Sequence, residues 1–339
     1  MFVNECLLLL RECDDTLRNL CTAQRKGHSC IYHVLLTTTI HAMEQRVTLA
    51  IYARTFKREC MQLYDTIINE LIAHKCRILM ANNLYHELCD YERRYAGYDI
   101  VSFSPEMLKG DILAVLSIGG DGTFLEAAKM VMGENIPVLG INNGRLGFLA
   151  QVNTDKVSEA ISALLSGNYR LAPLDVLSLY ANGQRQAVDF ALNEFAVSKS
   201  DNSSMLTIHA YVDGDYLTTY WADGLIIATS TGSTAYSMSV GGPIVYPSSP
   251  NFIIIPIAPH NLTVRPLVVP SSVVIQLRVE GRGANILTSL DGRTHIMDCG
   301  AQLRIAKTPF DVKMVQLDGY SFFGTLRDKL MWGADPRNV

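Results

Sequence analysis

An apolar run that ends abruptly in glycine constrains this chain more than any other feature. Ile112–Ile118 has one polar member, Ser117, and runs directly into Gly119-Gly120-Asp121-Gly122-Thr123. Phe124, Leu125, Ala127, Ala128 and Met130 follow in a helix-like pattern. The segment reads as a buried strand, a glycine turn and a helix N-terminus. Glycine lets backbone N–H groups approach an anion closely, because no Cβ stands in the way. Asp121 is at odds with a plain phosphate cradle, since a carboxylate repels phosphate, so it points to chemistry or to a metal. Leu125 stands where a dinucleotide fingerprint needs its third glycine, and no Lys-Ser/Thr pair completes a Walker A loop. The functional reading is phosphoryl transfer, with Asp121 activating a hydroxyl as general base or through a metal.

The surrounding sequence alternates strands (47–53, 76–80, 112–118, 137–141) with helices (59–74, 83–94, and 126–132 continuing the glycine turn). This rhythm predicts a doubly wound α/β domain with a parallel sheet, whose ligands lie beyond the C-terminal strand ends. From about residue 171 the pattern becomes β-rich, with strands at 174–182, 186–197, 206–212, 216–220, 225–229, 273–279, 284–290 and 302–307. Asn182-Gly183, Asp213-Gly214 and Asp291-Gly292 mark its turns. A helix over 155–167 connects the two parts, and 321–332 is helical again. The expected organisation is an extension at 1–42, an α/β domain at 43–155, a sandwich-like β domain at 156–310, and a tail at 311–339.

Composition narrows the function classes. The 339 residues carry a net charge of −4, which disfavours a dedicated nucleic-acid binder. No apolar run approaches the roughly 18 residues of a membrane span. None of the eight cysteines forms a CxxC pair, so zinc spacing is absent and a reduced, cytoplasmic compartment is expected. Glu5, Arg11, Glu12, Asp14 and Asp15 crowd the only early apolar run and argue against a secretory signal. Val47 begins the first strand, so Met43 is a candidate natural start.

Two further motifs carry polar chemistry. Asn193-Glu194 interrupts an apolar strand, either as a satisfied pair or bulge or as a device for ribose hydroxyl recognition. Residues 223–237 run from Asp223-Gly224 through an apolar strand into Thr231-Gly232-Ser233-Thr234-Ala235-Tyr236-Ser237. This hydroxyl-rich turn either caps a helix or lines a polar pocket, where Tyr236 can stack on a base. His260 lies in a Pro-His-Asn loop and reads first as a structural histidine.

Taken together, these residues resemble the NAD kinase family over about 47–335. Diacylglycerol and sphingosine kinases share the glycine-aspartate turn. The combination with Asn143–Phe148, Asn193-Glu194, Asp223-Gly224, the 231–237 segment and Gly241-Gly242-Pro243 is specific to NAD kinases. The resemblance implies transfer of a phosphoryl group from ATP or polyphosphate to the 2′-hydroxyl of the adenosine ribose of NAD. Asp121 is then the proton acceptor, and a divalent cation, magnesium, is held through the nucleotide phosphates. Asp121 and Gly122, with Phe124, face the dinucleotide, and Asn193 and Glu194 hold its adenosine and ribose. Thr234, Ala235, Tyr236, Ser237, Met238 and Ser239 line the adenine side, and Thr231 is a further nucleotide contact. Trp221, Asp223, His260 and Arg293 complete the candidate contacts. Asp223 stands where family members meet a neighbouring subunit, so a homodimer or homotetramer with shared sites is expected. The chain departs from the family pattern at Ser230, where many members have proline, at Trp221, and at Arg293, where glutamine is common.

Overall fold

The computed structural model describes residues 46–91, 94–144, 146–200 and 205–333. The 1–42 extension lies outside them. Strands β1 (Thr48–Tyr52), β2 (Arg77–Ala81), β3 (Ile100–Phe103), β4 (Ile112–Ile118) and β5 (Val138–Ile141) pair in parallel in the order β3-β2-β1-β4-β5. The order reverses between β1 and β4, which places the topological switch point at the carboxyl end of β4. Both faces of this sheet are covered. Leu49, Ile51, Leu116 and Ile118 face one helical layer, whereas Ala50 and Val115 face the other. Period-two alternation between two buried faces is why these strands read as unbroken apolar runs.

Helix α1 (Met61–Ala73) buries Leu63, Tyr64, Ile67, Ile68 and Leu71 on the first face. Helix α2 (Asn82–Tyr85) continues as a π turn through Tyr91. Helix α3 (Asp121–Met130) lies on the second face and buries Phe124, Ala127 and Ala128. Helix α4 (Val157–Leu165) returns to the first face beside α1.

Strand β6 (Tyr169–Leu174) is the antiparallel edge of this same sheet. Thus α4 and β6, assigned from the sequence to the β-rich part, pack and pair with the α/β layer. Their burial pattern is local, but their partners are distant in sequence.

The second unit contains two six-stranded antiparallel sheets. One is built from β7 (Leu177–Ala181), β8 (Gln184–Ala191), β10 (Leu206–Val212), β11 (Asp215–Ala222), β15 (Ile275–Glu280) and β18 (Gln302–Lys307). The other contains β9 (Glu194–Lys199), β12 (Gly224–Thr229), β13 (Asn251–Ile257), β14 (Leu267–Pro270), β16 (Asn285–Leu290) and β17 (Arg293–Asp298). Leu179, Ile208 and Leu277 meet Phe195, Ile227 and Ile254 in the core between them.

One sequence expectation is corrected here. The stretch 186–197 is two strands, because the chain leaves one sheet at Leu192-Asn193 and enters the other at Glu194. The proline-containing run before Pro259 forms β13. Its Pro256 is tolerated because β14 pairs only with Asn251 to Ile254, so β13 is an edge strand at that point.

The tail closes the fold. Strand β19 (Val312–Leu317) inserts between β5 and β6 in the first sheet. Helix α6 (Phe322–Leu330) follows, capped by the Ser321 hydroxyl, which accepts from Gly324 N–H at 3.2 Å. Phe322 and Leu326 pack against Phe148. Helix α5 (Tyr236–Ser239), a single turn, precedes β13 in the chain. No described helix is long and apolar enough to cross a membrane.

Candidate functional site

Asp121 is the first residue of α3, directly past the carboxyl end of β4. Its carboxylate is aimed at the loop after β5. Oδ1 accepts the N–H groups of Leu149 at 2.8 Å and Ala150 at 3.1 Å. Oδ2 accepts the Phe148 N–H at 3.0 Å and the Lys329 ammonium at 3.0 Å. Gly147 makes this approach possible, since a Cβ there would lie 2.0 Å from Oδ1. Burial pushes this carboxyl up, but the Leu149 and Ala150 N–H groups and the Lys329 ammonium prevail and hold its pKa below the usual carboxylate value. Asp121 is therefore an ionised, oriented carboxylate at neutral pH. Lys329 reaches it from α6 and lies 4.6 Å from the centre of the Phe148 ring.

The Asn193-Glu194 corner is held by a second carboxylate. Asp291 accepts the N–H groups of Leu192 and Asn193 at 2.8 Å each and of Glu194 at 3.1 Å. Both Asn193 and Glu194 are buried, because the corner turns between two sheets rather than alternating along one strand. The buried Oε2 of Glu194 has no hydrogen-bond partner. Burial and the neighbouring Asp291 carboxylate push Glu194 up to about 8, against the pull of the Tyr236 N–H. Burial raises Asp291 as well, but three N–H donors and Arg293 oppose it. The proton of this pair belongs on Glu194, which lacks those donors. A neutral buried carboxyl with a free oxygen can both donate to and accept from a hydroxyl.

The hydroxyl-rich turn packs directly on this corner. Thr229 Oγ1 donates to Leu192 O at 2.6 Å and accepts from Gly232 N–H at 3.1 Å. A Cβ on Gly232 would lie 2.0 Å from Asn193 O. Ser230 donates to Ser249 O, and Ser233 exchanges bonds with the Val245 backbone, so these two hydroxyls serve the fold. Thr231 Oγ1 and Ser237 Oγ are buried without a partner, as Glu194 Oε2 is. Thr234, Ala235 and Met238 are half-buried, whereas Tyr236 and Ser239 are exposed.

A cleft of about 860 Å³ lies beside the site, and Asp121, Asn193, Glu194 and the 231–239 turn are not part of its lining. Gly122, Leu125, Glu126 and Lys129 of α3 form one wall, and Asp291, Gly292 and Arg293 form another. Arg293 donates to Leu290 O at 2.9 Å and Phe190 O at 2.5 Å, which clamps the hairpin between β16 and β17.

Other candidates are placed differently. Phe124 is fully buried in the core of the α/β layer, so its side chain cannot touch a nucleotide as expected. Helical spacing points it inward once Asp121 faces the loop. Trp221, Asp223 and His260 gather at the opposite end of β12 from the Thr229 turn, roughly 17 Å away at about 3.3 Å per residue. There the His260 N–H donates to Trp221 O at 2.8 Å, and Asp223 pairs with Lys199 at 2.8 Å. Trp221 is exposed.

Sequence reasoning missed Lys329 as a site residue and read Asp291 only as a turn. For Asp291 the Asp-Gly dipeptide was a signal of position but not of partner. Lys329 carried no signal, since it meets Asp121 from 208 residues away.

Comparison with known proteins gives consistent matches. Residues 48–169 match the ATP-NAD kinase N-terminal domain, and residues 192–317 match the ATP-NAD kinase C-terminal domain. A protein of Cytophaga hutchinsonii named NAD kinase is 48% identical over 225 residues, 66% of this chain and 77% of that one. The Flavobacterium johnsoniae NAD kinase is 40% identical over 294 residues, 86% of this chain and 99% of that one. Among solved structures, yeast NADH kinase complexed with NADH has a TM-score of 0.78 at 21% identity, covering 87% of this chain and 90% of that one. An Archaeoglobus fulgidus NAD kinase in complex with ATP has a TM-score of 0.62 at 24% identity, covering 85% and 98%. At these identities the structural matches speak for the fold.

Proposed function

This chain belongs to the NAD kinase family, phosphotransferases acting on NAD, and on that premise we propose that Asp121 receives the proton of the acceptor hydroxyl. The acceptor is the 2′-hydroxyl of the adenosine ribose of NAD, and the donor is ATP. The 2′ oxygen forms a bond to the γ-phosphorus. The bond from that phosphorus to the bridging oxygen breaks, and its electron pair leaves on ADP. The hydroxyl proton passes to Asp121.

One observation carries this reading: an ionised carboxylate held by three backbone N–H groups at the switch point of a doubly wound sheet. Orientation is the main contribution. The N–H groups fix the carboxylate before substrate arrives, so little reorganisation accompanies transfer. A carboxylate with a depressed pKa is a weak base, and it acts late, as the hydroxyl proton becomes acidic in a loose transition state. Glu194 and the unpartnered hydroxyls of Thr231 and Ser237 provide the polar atoms that recognise the nucleoside.

The donor's divalent cation is carried on its phosphates. All four acceptor positions of Asp121 hold hydrogen atoms, and no three Asp, Glu, His or Cys side chains converge among the described residues. Trp221, Asp223 and His260 lie too far along β12 to serve the same chain's site, which supports a second copy supplying them.

The test is NADP formation from NAD, ATP and magnesium by wild type and Asp121→Asn. The variant should keep NAD binding and lose about 10²- to 10⁴-fold in kcat. Unchanged turnover removes the general-base role. Wild type that binds NAD without yielding NADP is a sensor, not a kinase.

A further inference from the structure

The four hydrogen bonds on Asp121 are not equivalent. Three come from the backbone of Phe148, Leu149 and Ala150, in a loop whose side chains are buried, and they can leave only if that loop moves. The fourth comes from the Lys329 ammonium, at the end of a flexible side chain that is about one-third exposed. A carboxylate offers about four lone-pair sites, and here each is taken. An acceptor hydroxyl reaches Asp121 most cheaply by displacing Lys329.

We propose that Lys329 is the positioning residue of this site: it holds Asp121 Oδ2, yields that position to the ribose hydroxyl, and so turns its ammonium toward the donor's phosphates. The inference rests on the reading of Asp121 as proton acceptor. It also gives the tail a function. Helix α6 is anchored by Phe322 and Leu326 against Phe148, the ring next to the Lys329 ammonium, so the tail delivers one cation to the mouth of the site. Acceptor binding would then release positive charge where negative charge arrives.

The titratable groups facing Asp121 from the elements around it are Lys329 on α6 and Tyr320 just before it. The 147–150 loop contributes none, being Gly-Phe-Leu-Ala. Removing the cation therefore leaves nothing else to keep Asp121 acidic except the backbone donors, and the acid limb of the pH profile of kcat/KM for NAD, which reports the enzyme before the acceptor binds, should move to higher pH.

The experiment uses the full chain as wild type, Lys329→Met, Lys329→Gln and Lys329→Arg. Expected for both neutral variants are an upward shift of the acid limb by about one pH unit and a rise in KM for ATP of about tenfold. KM for NAD should change less, and arginine should restore most of the loss. A tether with no further role would shift the acid limb and lower the unfolding temperature but leave KM for ATP unchanged. An unchanged KM for ATP in the neutral variants, with or without a shifted limb, overturns the proposal. Carboxyl NMR titration of Asp121 reads the pairing without turnover, so an inactive wild type would defeat the functional reading while the lysine contact is judged separately. If the methionine variant fails to fold, the glutamine and arginine variants decide.

Discussion

Replacing Glu194 with glutamine should change the pH dependence of stability in a defined window. Folding carries this carboxyl from its ordinary value of 4.5 up to about 8, through burial and the Asp291 carboxylate beside it. Below pH 4.5 both folded and unfolded chains hold the proton, and the full stabilisation of the protonated form is present. Between pH 4.5 and 8 the unfolded chain releases it while the folded chain retains it. The unfolded state then binds fewer protons, so stability falls as pH rises, and the fall ends once the folded group ionises. At about 1.4 kcal/mol per unit, the window is worth about 5 kcal/mol as a ceiling, since any water reaching Oε2 reduces it. Glutamine keeps the shape and cannot ionise. Urea unfolding of wild type and Glu194→Gln at pH 5, 6, 7, 8 and 9 isolates the effect, because all other groups are common to both. The stability of the variant relative to wild type should grow by several kcal/mol from pH 5 to 8 and level off above. Parallel curves across that range would show that Glu194 ionises normally in the fold and would refute its assignment as a neutral carboxyl.

Two other outcomes follow from packing and from placement. Gly232→Ala puts a Cβ 2.0 Å from the Asn193 carbonyl oxygen, so the turn or the corner must move. The cost should be about 1–3 kcal/mol, with weaker NAD binding by calorimetry, and a variant as stable as wild type would contradict the packing of turn on corner. The separation of Trp221, Asp223 and His260 from Glu194 predicts a dimer or tetramer by sedimentation equilibrium. A monomer that turns over normally would exclude shared sites.

The helical and strand periodicities were legible because they are local. The run from Ile112 to Ile118, the glycine turn and the apolar residues of α3 and α4 each announce their element within a dozen residues. The run at 186–197 was not legible as two strands, because the corner at Leu192-Asn193 is imposed by Asp291, almost a hundred residues away. The same holds for β6, whose sequence does not say which sheet it will join.

What the sequence determined by itself was the presence of a carboxylate in a glycine turn after a buried strand, together with the family whose motifs surround it. Chain connectivity and side-chain pattern suffice for that, since strand, turn and helix are neighbours in sequence. The tertiary structure decided the state of that carboxylate. Its donors come from 27 to 29 residues away and from the tail 208 residues away, and Asp291 and Glu194 acquire their opposing roles only when two sheets meet. Charge, solvation and hydrogen bonding at Asp121 and Glu194 depend on what surrounds them in space, and spacing along the chain carries no record of that.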